Sequence, residues 1–278
     1  MTRILFPTDF SEHAREALRY ALPIIRQMQA ELILLHVYTI SPSYAEAPAF
    51  ALGEEVELQR DRTLARLQGE VTRIREKSPG QPVEILARLG GPVHEILEVA
   101  REERIDCIVM GTRGASGLRE FLIGSNAARV IAQAPVPVLA IPPGNTFKPL
   151  REIFFATDYL DSDLQALGLV LRLARLFGAR IRFVHVRRTD EPNAEAQLQA
   201  YEARVRDQLD YPHLTFQLLE AESVQQGLEH LSQQYPDAIL AMCPQRRGLF
   251  ERLFHRSHTQ SMSQHASHPL LALPVPSA

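Results

Sequence analysis

The stretch Ile4-Leu5-Phe6-Pro7-Thr8-Asp9 decides the fold, because it returns as Ile153-Phe154-Phe155-Ala156-Thr157-Asp158. Leu35-His36-Val37 returns as Val184-His185-Val186 at the same offset of 149 positions. Pro137-Val138-Leu139-Ala140-Ile141-Pro142 returns as Pro269-Leu270-Leu271-Ala272-Leu273-Pro274 at an offset of 132. The chain of 278 residues is therefore interpreted as two copies of one module, the second with a shorter middle.

The boundary between the copies is predicted at a turn-rich stretch that begins with Pro142-Pro143-Gly144-Asn145. The first domain is predicted to span residues 1–143 and the second residues 150–276. Each is within the usual size range of a globular domain.

Within each copy, short apolar segments alternate with segments whose apolar residues recur at helical spacing. In the first copy, Ile4 to Phe6 is a predicted strand, and one helical face runs from Ala14 to Ile25, where Pro23 is expected to kink the helix or end it early. The next helix is predicted to begin near Gly53, and in the second copy Leu164 to Ala174 is the matching first helix. This alternation predicts an α/β fold with a parallel sheet covered on both faces and right-handed crossovers.

The composition excludes several classes of protein. With 45% hydrophobic and 23% charged residues, the chain is typical of a soluble globular protein, and its net charge of −3 predicts no general attraction to nucleic acid. It contains no apolar run near the ~18 residues of a membrane span, and its first residues do not resemble a signal peptide. Two cysteines, Cys107 and Cys243, are too few for a disulfide framework, so a cytoplasmic protein is expected.

One loop carries a pattern suited to an anion. After the fourth predicted strand comes Gly111-Thr112-Arg113-Gly114, then nine residues, then Gly124-Ser125-Asn126 at the start of a helix. Glycines let backbone amides approach a ligand, and Ser125 is predicted as the N-cap of a helix whose first amides favour a phosphate. Arg113 and Arg119 would add positive charge. The alternative is a glycine-containing connection without a ligand.

The position of this loop suggests a crevice shared with the first strand. In open parallel sheets, ligands bind at the carboxyl ends of strands where the strand order reverses. If the first strand neighbours the fourth, Asp9 faces Gly111 and can accept hydrogen bonds from a base or ribose, and Val37 can pack on an adenine. The alternative for Asp9 is capping of the following helix beside Ser11.

The spacing Gly-x2-Gly-x9-Gly-Ser, together with Asp9 and the sequence Pro-Val-Pro-Val at 135–138, resembles the universal stress protein family. The resemblance implies two tandem five-stranded parallel-sheet modules, Rossmann-like and of the adenine nucleotide alpha-hydrolase type, with strand order 3-2-1-4-5. It also implies ATP binding, with or without Mg²⁺, and a role in the stress response. The implied purine contacts are Pro7, Asp9 and Val37. The implied phosphate and ribose contacts are Met110, Gly111, Gly114, Gly124, Ser125 and Asn126, with Arg113 as an added charge.

The second copy has lost this pattern. At the offset of 132, Gly111 becomes Cys243, Gly114 becomes Arg246 and Gly124 becomes Arg256, and a slip of one residue would place Met242 and Gln245 there instead. Because side chains replace the glycines in either register, the second copy is predicted not to bind ATP. Asp158, the counterpart of Asp9, is expected to cap a helix.

Arginines and histidines crowd the altered loop of the second copy. They are Arg246, Arg247, Arg252 and Arg256, with His255, His258, His265 and His268. Three interpretations remain open: a metal site that includes Cys243, a site for another anionic ligand, and a polar loop salt-bridged to its own domain or to a partner.

The sequence offers no machinery for attacking a bound phosphate. It has no GxxxxGK[ST] loop, Leu118 interrupts a GxSxG pattern around Ser116, and the glycine loop has no lysine. We therefore expect a nucleotide-responsive regulator with negligible or slow hydrolysis and an unknown protein partner. A slow ATPase or nucleotidyl transferase and a scaffold with an empty loop remain alternatives. The last strands of the two copies, Pro137 to Ile141 and Pro269 to Leu273, are expected to lie side by side as an intramolecular pseudo-dimer, as the resemblance implies.

Overall fold

Strands and helices alternate along the chain in the computed structural model, which describes residues 1–41, 48–114, 123–187, 193–244 and 268–274. The first half contains β1 (Arg3–Pro7), α1 (Glu12–Gln27), β2 (Glu31–Tyr38), α2 (Ala49–Lys77), β3 (Val83–Leu89), α3 (Pro92–Glu102), β4 (Cys107–Gly111), α4 (Ser125–Gln133) and β5 (Val138–Ile141). The second half contains β6 (Glu152–Ala156), α5 (Asp161–Gln165), α6 (Gly168–Phe177), β7 (Arg180–Arg187), α7 (Ala194–Gln208), β8 (Leu214–Glu220), α8 (Val224–Gln234), β9 (Ile239–Met242) and β10 (Leu270–Ala272). The predicted α/β fold is confirmed.

All the described strands belong to one ten-stranded sheet, in the order β3-β2-β1-β4-β5-β10-β9-β6-β7-β8. Neighbouring strands are parallel within each half. The halves meet where β5 and β10 pair in antiparallel fashion, with Leu139 opposite Leu271. Strand order reverses beside β1 and β4, which places the carboxyl ends of these two strands at the switch point of the first half.

Apolar side chains of the strands alternate between two cores, one on each face of the sheet. Ile4 and Phe6 of β1 join the core covered by α1, α2, α6 and α7, whereas Leu5 joins the core covered by α3, α4 and α8. This period of two follows from the pleat of a strand, and burial on both faces explains why the strands read as continuous apolar runs.

Helix α1 does not end at Pro23, so that part of the prediction is wrong. Proline within a helix costs about 3 kcal/mol through the lost hydrogen bond and the ring clash. Leu22, Ile24 and Ile25 flank it and are all buried, and each such side chain contributes about 1.5–3 kcal/mol when buried. Packing therefore outweighs the local preference, and the helix continues to Gln27.

Helix α2 accounts for the longer middle of the first half. It begins at Ala49 rather than near Gly53 and has 29 residues, whereas its counterpart α7 has 15. The connection between the halves is also packed, because the ring of Phe147 lies 5.6 Å from that of Tyr20 in α1 and 5.9 Å from that of Phe177 in α6.

Candidate nucleotide site

Asp9 is held in a tight turn where the chain leaves β1. The backbone N–H of Ser11 donates to Asp9 Oδ1 at 3.0 Å, and Ser11 is itself the N-cap of α1, accepting from the N–H of Ala14 at 3.1 Å. Asp9 therefore does not cap the helix, although it lies beside the residue that does. One carboxylate oxygen fixes the turn, and the exposed side chain stands at the carboxyl edge of the sheet.

Phe10 takes an unusual backbone conformation in this turn, with φ of 63°. A non-glycine residue reaches the left-handed region at a cost that its surroundings must offset. The Phe10 ring packs against the His36 ring at 4.4 Å between centroids, and the Arg66 guanidinium lies 3.9 Å above it. A tilted contact between the two rings and a cation–π contact hold the turn in place.

His36 ties the end of β2 to the same turn. Its Nδ1 lies 2.7 Å from the carbonyl oxygen of Thr8, and because a carbonyl only accepts, Nδ1 carries the proton in this contact. Burial lowers the pKa of His36, and Arg66 lowers it further, whereas the bond to Thr8 raises it. The ring is therefore neutral at pH 7, with Nδ1–H as the donor.

The glycine loop closes on itself between β4 and α4. The N–H of Gly124 donates to the carbonyl oxygen of Thr112 at 2.7 Å, which brings the two glycine-containing segments together. Gly124 is the N-cap of α4 and Ser125 is its first residue, so the prediction that Ser125 caps the helix is wrong. Since Gly124 has no side chain to offer, no side-chain hydrogen bond caps the first amides of α4.

The ten residues predicted from the sequence line one cavity of about 290 Å³. They are Pro7, Asp9, Val37, Met110, Gly111, Arg113, Gly114, Gly124, Ser125 and Asn126. The volume is close to the lower end of the range for small-molecule sites, about 300 Å³. The cavity opens where β1, β2 and β4 end, at the switch point of the sheet.

Sequence reasoning missed several residues of the cavity wall. Pro92 and Ile96 come from α3, which follows β3. Thr8, Ala14, Leu35, His36, Thr112 and Ala127 complete the lining. The sequence could have indicated α3, because this helix begins just after the carboxyl end of a predicted strand. Helices that begin there lie at the same edge of a parallel sheet as the cavity.

Strand register identifies the counterpart of Gly111 in the second half. Ile4 pairs with Cys107 in the first half, and Ile153, 149 positions later, pairs with Ile239, which lies 132 positions after Cys107. Because both offsets match those of the sequence repeat, the slip of one residue is excluded. Cys243 takes the place of Gly111 and is buried.

The helix that faces this position differs between the halves. A Cβ on Gly111 would lie 3.5 Å from Ala17 Cβ in α1. The residue that corresponds to Ala17 is Ala166, and there the predicted single helix from Leu164 to Ala174 breaks into α5 and α6. The second half therefore combines a bulkier residue at the position of Gly111 with a break in the helix that corresponds to α1.

The turn after β6 repeats that after β1. Tyr159 has φ of 65° and its ring lies 4.3 Å from the ring of His185, whose Nδ1 is 2.8 Å from the carbonyl oxygen of Thr157. The prediction that Asp158 caps a helix is wrong, because the N-cap of α5 is Leu160, without a side-chain hydrogen bond. The Oδ1 atom of Asp158 lies instead 3.8 Å from His185 Nδ1.

Much of the altered loop lies outside the described residues. In the second half, the residues outside the described ranges include Gln245, Arg246, Arg247, Arg252, Arg256, Ser257, His255, His258 and His265. In the first half they include Ser116, Leu118 and Arg119. His268 is described, and its Nε2 is 2.8 Å from the carbonyl oxygen of Tyr235. Within the described ranges, no three His, Cys, Asp or Glu side chains are grouped so as to hold a metal ion.

The fold and cavity define a class: α/β proteins with a glycine-lined cavity at the carboxyl edge of a parallel sheet. The model of the universal stress protein family matches residues 1–142, just over half of the chain. The chain therefore belongs to the universal stress protein family, as its resemblance predicted. In the described part of the chain, no helix combines the length and apolar character of a membrane span.

Known relatives match one half of the chain, and a solved structure matches all of it. Universal stress protein MJ0531 of Methanocaldococcus jannaschii is 34% identical over 142 residues, covering 50% of this chain and 81% of that protein. A universal stress protein of Thermus aquaticus is 34% identical over 139 residues, covering 50% and 96%. The crystal structure of a universal stress protein from Archaeoglobus fulgidus covers 99% of this chain and 98% of that chain, with a TM-score of 0.73 and 18% identity, so the likeness there is one of fold.

Proposed function

We propose that this protein is a regulator that binds ATP in its first half. The observation that carries the proposal is the convergence of the ten predicted residues on one cavity at the switch point of the sheet. The apolar residues and the carboxylate suit the adenosine end of a nucleotide, and the glycines, the helix start and the arginine suit its phosphates.

The apolar wall suits an adenine. Val37, Ile96 and Met110 offer apolar surface, and the Asp9 carboxylate can accept hydrogen bonds from an amine or a ribose hydroxyl. The glycine loop and the first amides of α4 suit the phosphates, because the helix start carries partial positive charge and no side chain caps it. Arg113 at the same wall adds a full positive charge.

Binding is proposed for the first half alone. Cys243, which is buried, takes the place of Gly111, and the sequence has Arg246 and Arg256 where the first half has the other two glycines, so the second half lacks the bare glycine loop on which the proposal depends. We propose domains of residues 1–143 and 150–276 that form an intramolecular pseudo-dimer, supported by the pairing of β5 with β10. A reducing, cytoplasmic setting fits Cys107 and Cys243, which are buried and form no disulfide.

Slow or negligible hydrolysis is part of the proposal. Among the described residues, the cavity is lined by one carboxylate, Asp9, and by no lysine, so this part of the chain offers no carboxylate pair for a catalytic metal ion. The nucleotide would act by ordering the loop around Gly114 and changing a surface that a partner recognises.

The test uses the full chain. Native mass spectrometry of the purified protein, followed by calorimetric titration with ATP, ADP and AMP with and without Mg²⁺, should give one adenine nucleotide per chain. Absence of binding by all three would overturn the proposal, and two nucleotides per chain would overturn its confinement to the first half. Multiple-turnover phosphate release that Asp9→Ala abolishes would favour the enzyme instead.

A further inference from the structure

The space that a side chain on Gly114 would enter is bounded by Asp9, far away along the chain. A Cβ built on Gly114 would lie 2.6 Å from Asp9 Oδ2 and 3.6 Å from Asp9 Cγ. Real Cβ atoms essentially never approach another heavy atom within 3.0 Å. The backbone of Gly114 lies outside the left-handed region, so an alanine meets no strain in φ there. The obstacle to a side chain at residue 114 is therefore the close approach of its Cβ to the Asp9 carboxylate.

The other two glycines of the loop follow the same rule. A Cβ on Gly124 would lie 3.3 Å from the carbonyl oxygen of Thr112, and one on Gly111 would lie 3.3 Å from that of Arg113. In each case the obstructed space belongs to the protein and lies beside the cavity wall. Gly114 differs because its obstacle is the end of a movable side chain that lines the cavity.

From this contact, and resting on the proposed function, we infer that Gly114 is a positioning residue whose missing side chain keeps the Asp9 carboxylate in its ligand-binding orientation. A Cβ at residue 114 turns the carboxylate away rather than blocking the phosphates. The turn carries a marker of this orientation, since the Ser11 N–H donates to Asp9 Oδ1 at 3.0 Å. Turning Asp9 breaks that hydrogen bond.

A double-mutant cycle tests the inference through ATP affinity. Gly114→Ala should weaken ATP binding roughly tenfold or more, the range for loss of a hydrogen bond to a charged group. In an Asp9→Ala background the same substitution should change affinity less than about twofold, because the obstructing carboxylate is gone. The ratio of ATP to GTP affinity should fall equally in Gly114→Ala and Asp9→Ala, an outcome that general loosening of the loop does not produce.

A second measurement needs no nucleotide. The Ser11 amide proton should lose its hydrogen-bonded chemical shift in Gly114→Ala and in Asp9→Ala, and keep it in the control Gly91→Ala, where a Cβ meets nothing within 4 Å. If Gly114→Ala weakens ATP binding as much without Asp9 as with it, or leaves the Ser11 shift unchanged, the inference is wrong while ATP binding stands. If the wild-type protein binds no nucleotide, the proposed function fails, and the Ser11 shift still decides the contact.

Discussion

Gly111 and Cys243 occupy the same position in the two halves, and helix α1, which lies beside Gly111, is continuous whereas its counterpart in the second half is broken into α5 and α6. Strand register fixes the equivalence. A Cβ on Gly111 would lie 3.3 Å from the carbonyl oxygen of Arg113, which is tighter than an ordinary contact, and 3.5 Å from the His13 carbonyl oxygen and the Ala17 Cβ in α1. The glycine therefore serves helix packing as well as the cavity.

Gly111→Cys should destabilise the first half, because the Cβ would crowd the carbonyl oxygen of Arg113, a backbone atom, and the Sγ would need further space beside α1. The expected loss in free energy of unfolding is about 1–3 kcal/mol, the range for overpacking, measured by urea denaturation. Gly69→Ala is the control, since a Cβ there meets nothing within 4 Å and the helix should gain slightly. An unchanged stability for Gly111→Cys would contradict the packing argument.

Gly114→Arg copies the second half into the first and should abolish ATP binding. A long side chain would enter a cavity of about 290 Å³ and displace Asp9. Calorimetry should register a loss of affinity of about 100-fold or more, equivalent to about 2.7 kcal/mol. Gly53→Arg on α2, at a position with open space around it, should bind as the wild type does. Retained affinity in Gly114→Arg would place the nucleotide elsewhere.

Leu139→Ala and Leu271→Ala test the seam between the halves. Both side chains are buried and lie opposite each other across β5 and β10, so each substitution should cost about 2–5 kcal/mol. Because the two residues are neighbours, the loss in free energy of unfolding of the double variant should differ from the sum of the two single losses by at least about 0.5 kcal/mol. Strict additivity in urea denaturation would argue against direct contact of these strands in solution.

Stability should fall as the pH drops below about 6.5, the ordinary pKa of histidine. The folded-state pKa values of His36 and His268 are lowered, mainly by burial, so the unfolded chain binds more protons in this window. The free energy of unfolding should therefore be full above pH 6.5 and decrease below it. His36→Asn, which keeps a donor for the Thr8 carbonyl, should show a shallower decrease between pH 6.5 and 5 than the exposed-site control His94→Asn. If the free energy of unfolding decreased equally with pH in the two variants, the role assigned to His36 would be contradicted.

Periodicity and the internal repeat predicted the α/β fold, and the glycine spacing, together with the resemblance it carries, predicted the residues that line the cavity. Apolar strands marked the buried sheet, and glycines marked the loop at its edge. The matched offsets of the repeat were enough to align Gly111 with Cys243 before any coordinates were known.

What the sequence could not predict depends on contacts between distant segments. Pro23 stays inside α1 because its neighbours are buried under the sheet, and helical periodicity does not weigh burial against a lost hydrogen bond. The break at Ala166 accompanies the larger side chain of Cys243, which lies just after β9 in a distant part of the chain. Ser125 was misassigned by a single position, since a glycine N-cap leaves no side-chain signature.

The antiparallel seam between β5 and β10 has a geometric consequence. Since all strands within a half run one way, the direction reverses at that seam, and the carboxyl ends of the two halves point to opposite poles of the molecule. A nucleotide at one pole cannot touch whatever the other pole holds. A signal of nucleotide binding would have to be transmitted through the sheet. A partner bound at the opposite pole would respond to a change in the strands there and not to direct contact with the nucleotide.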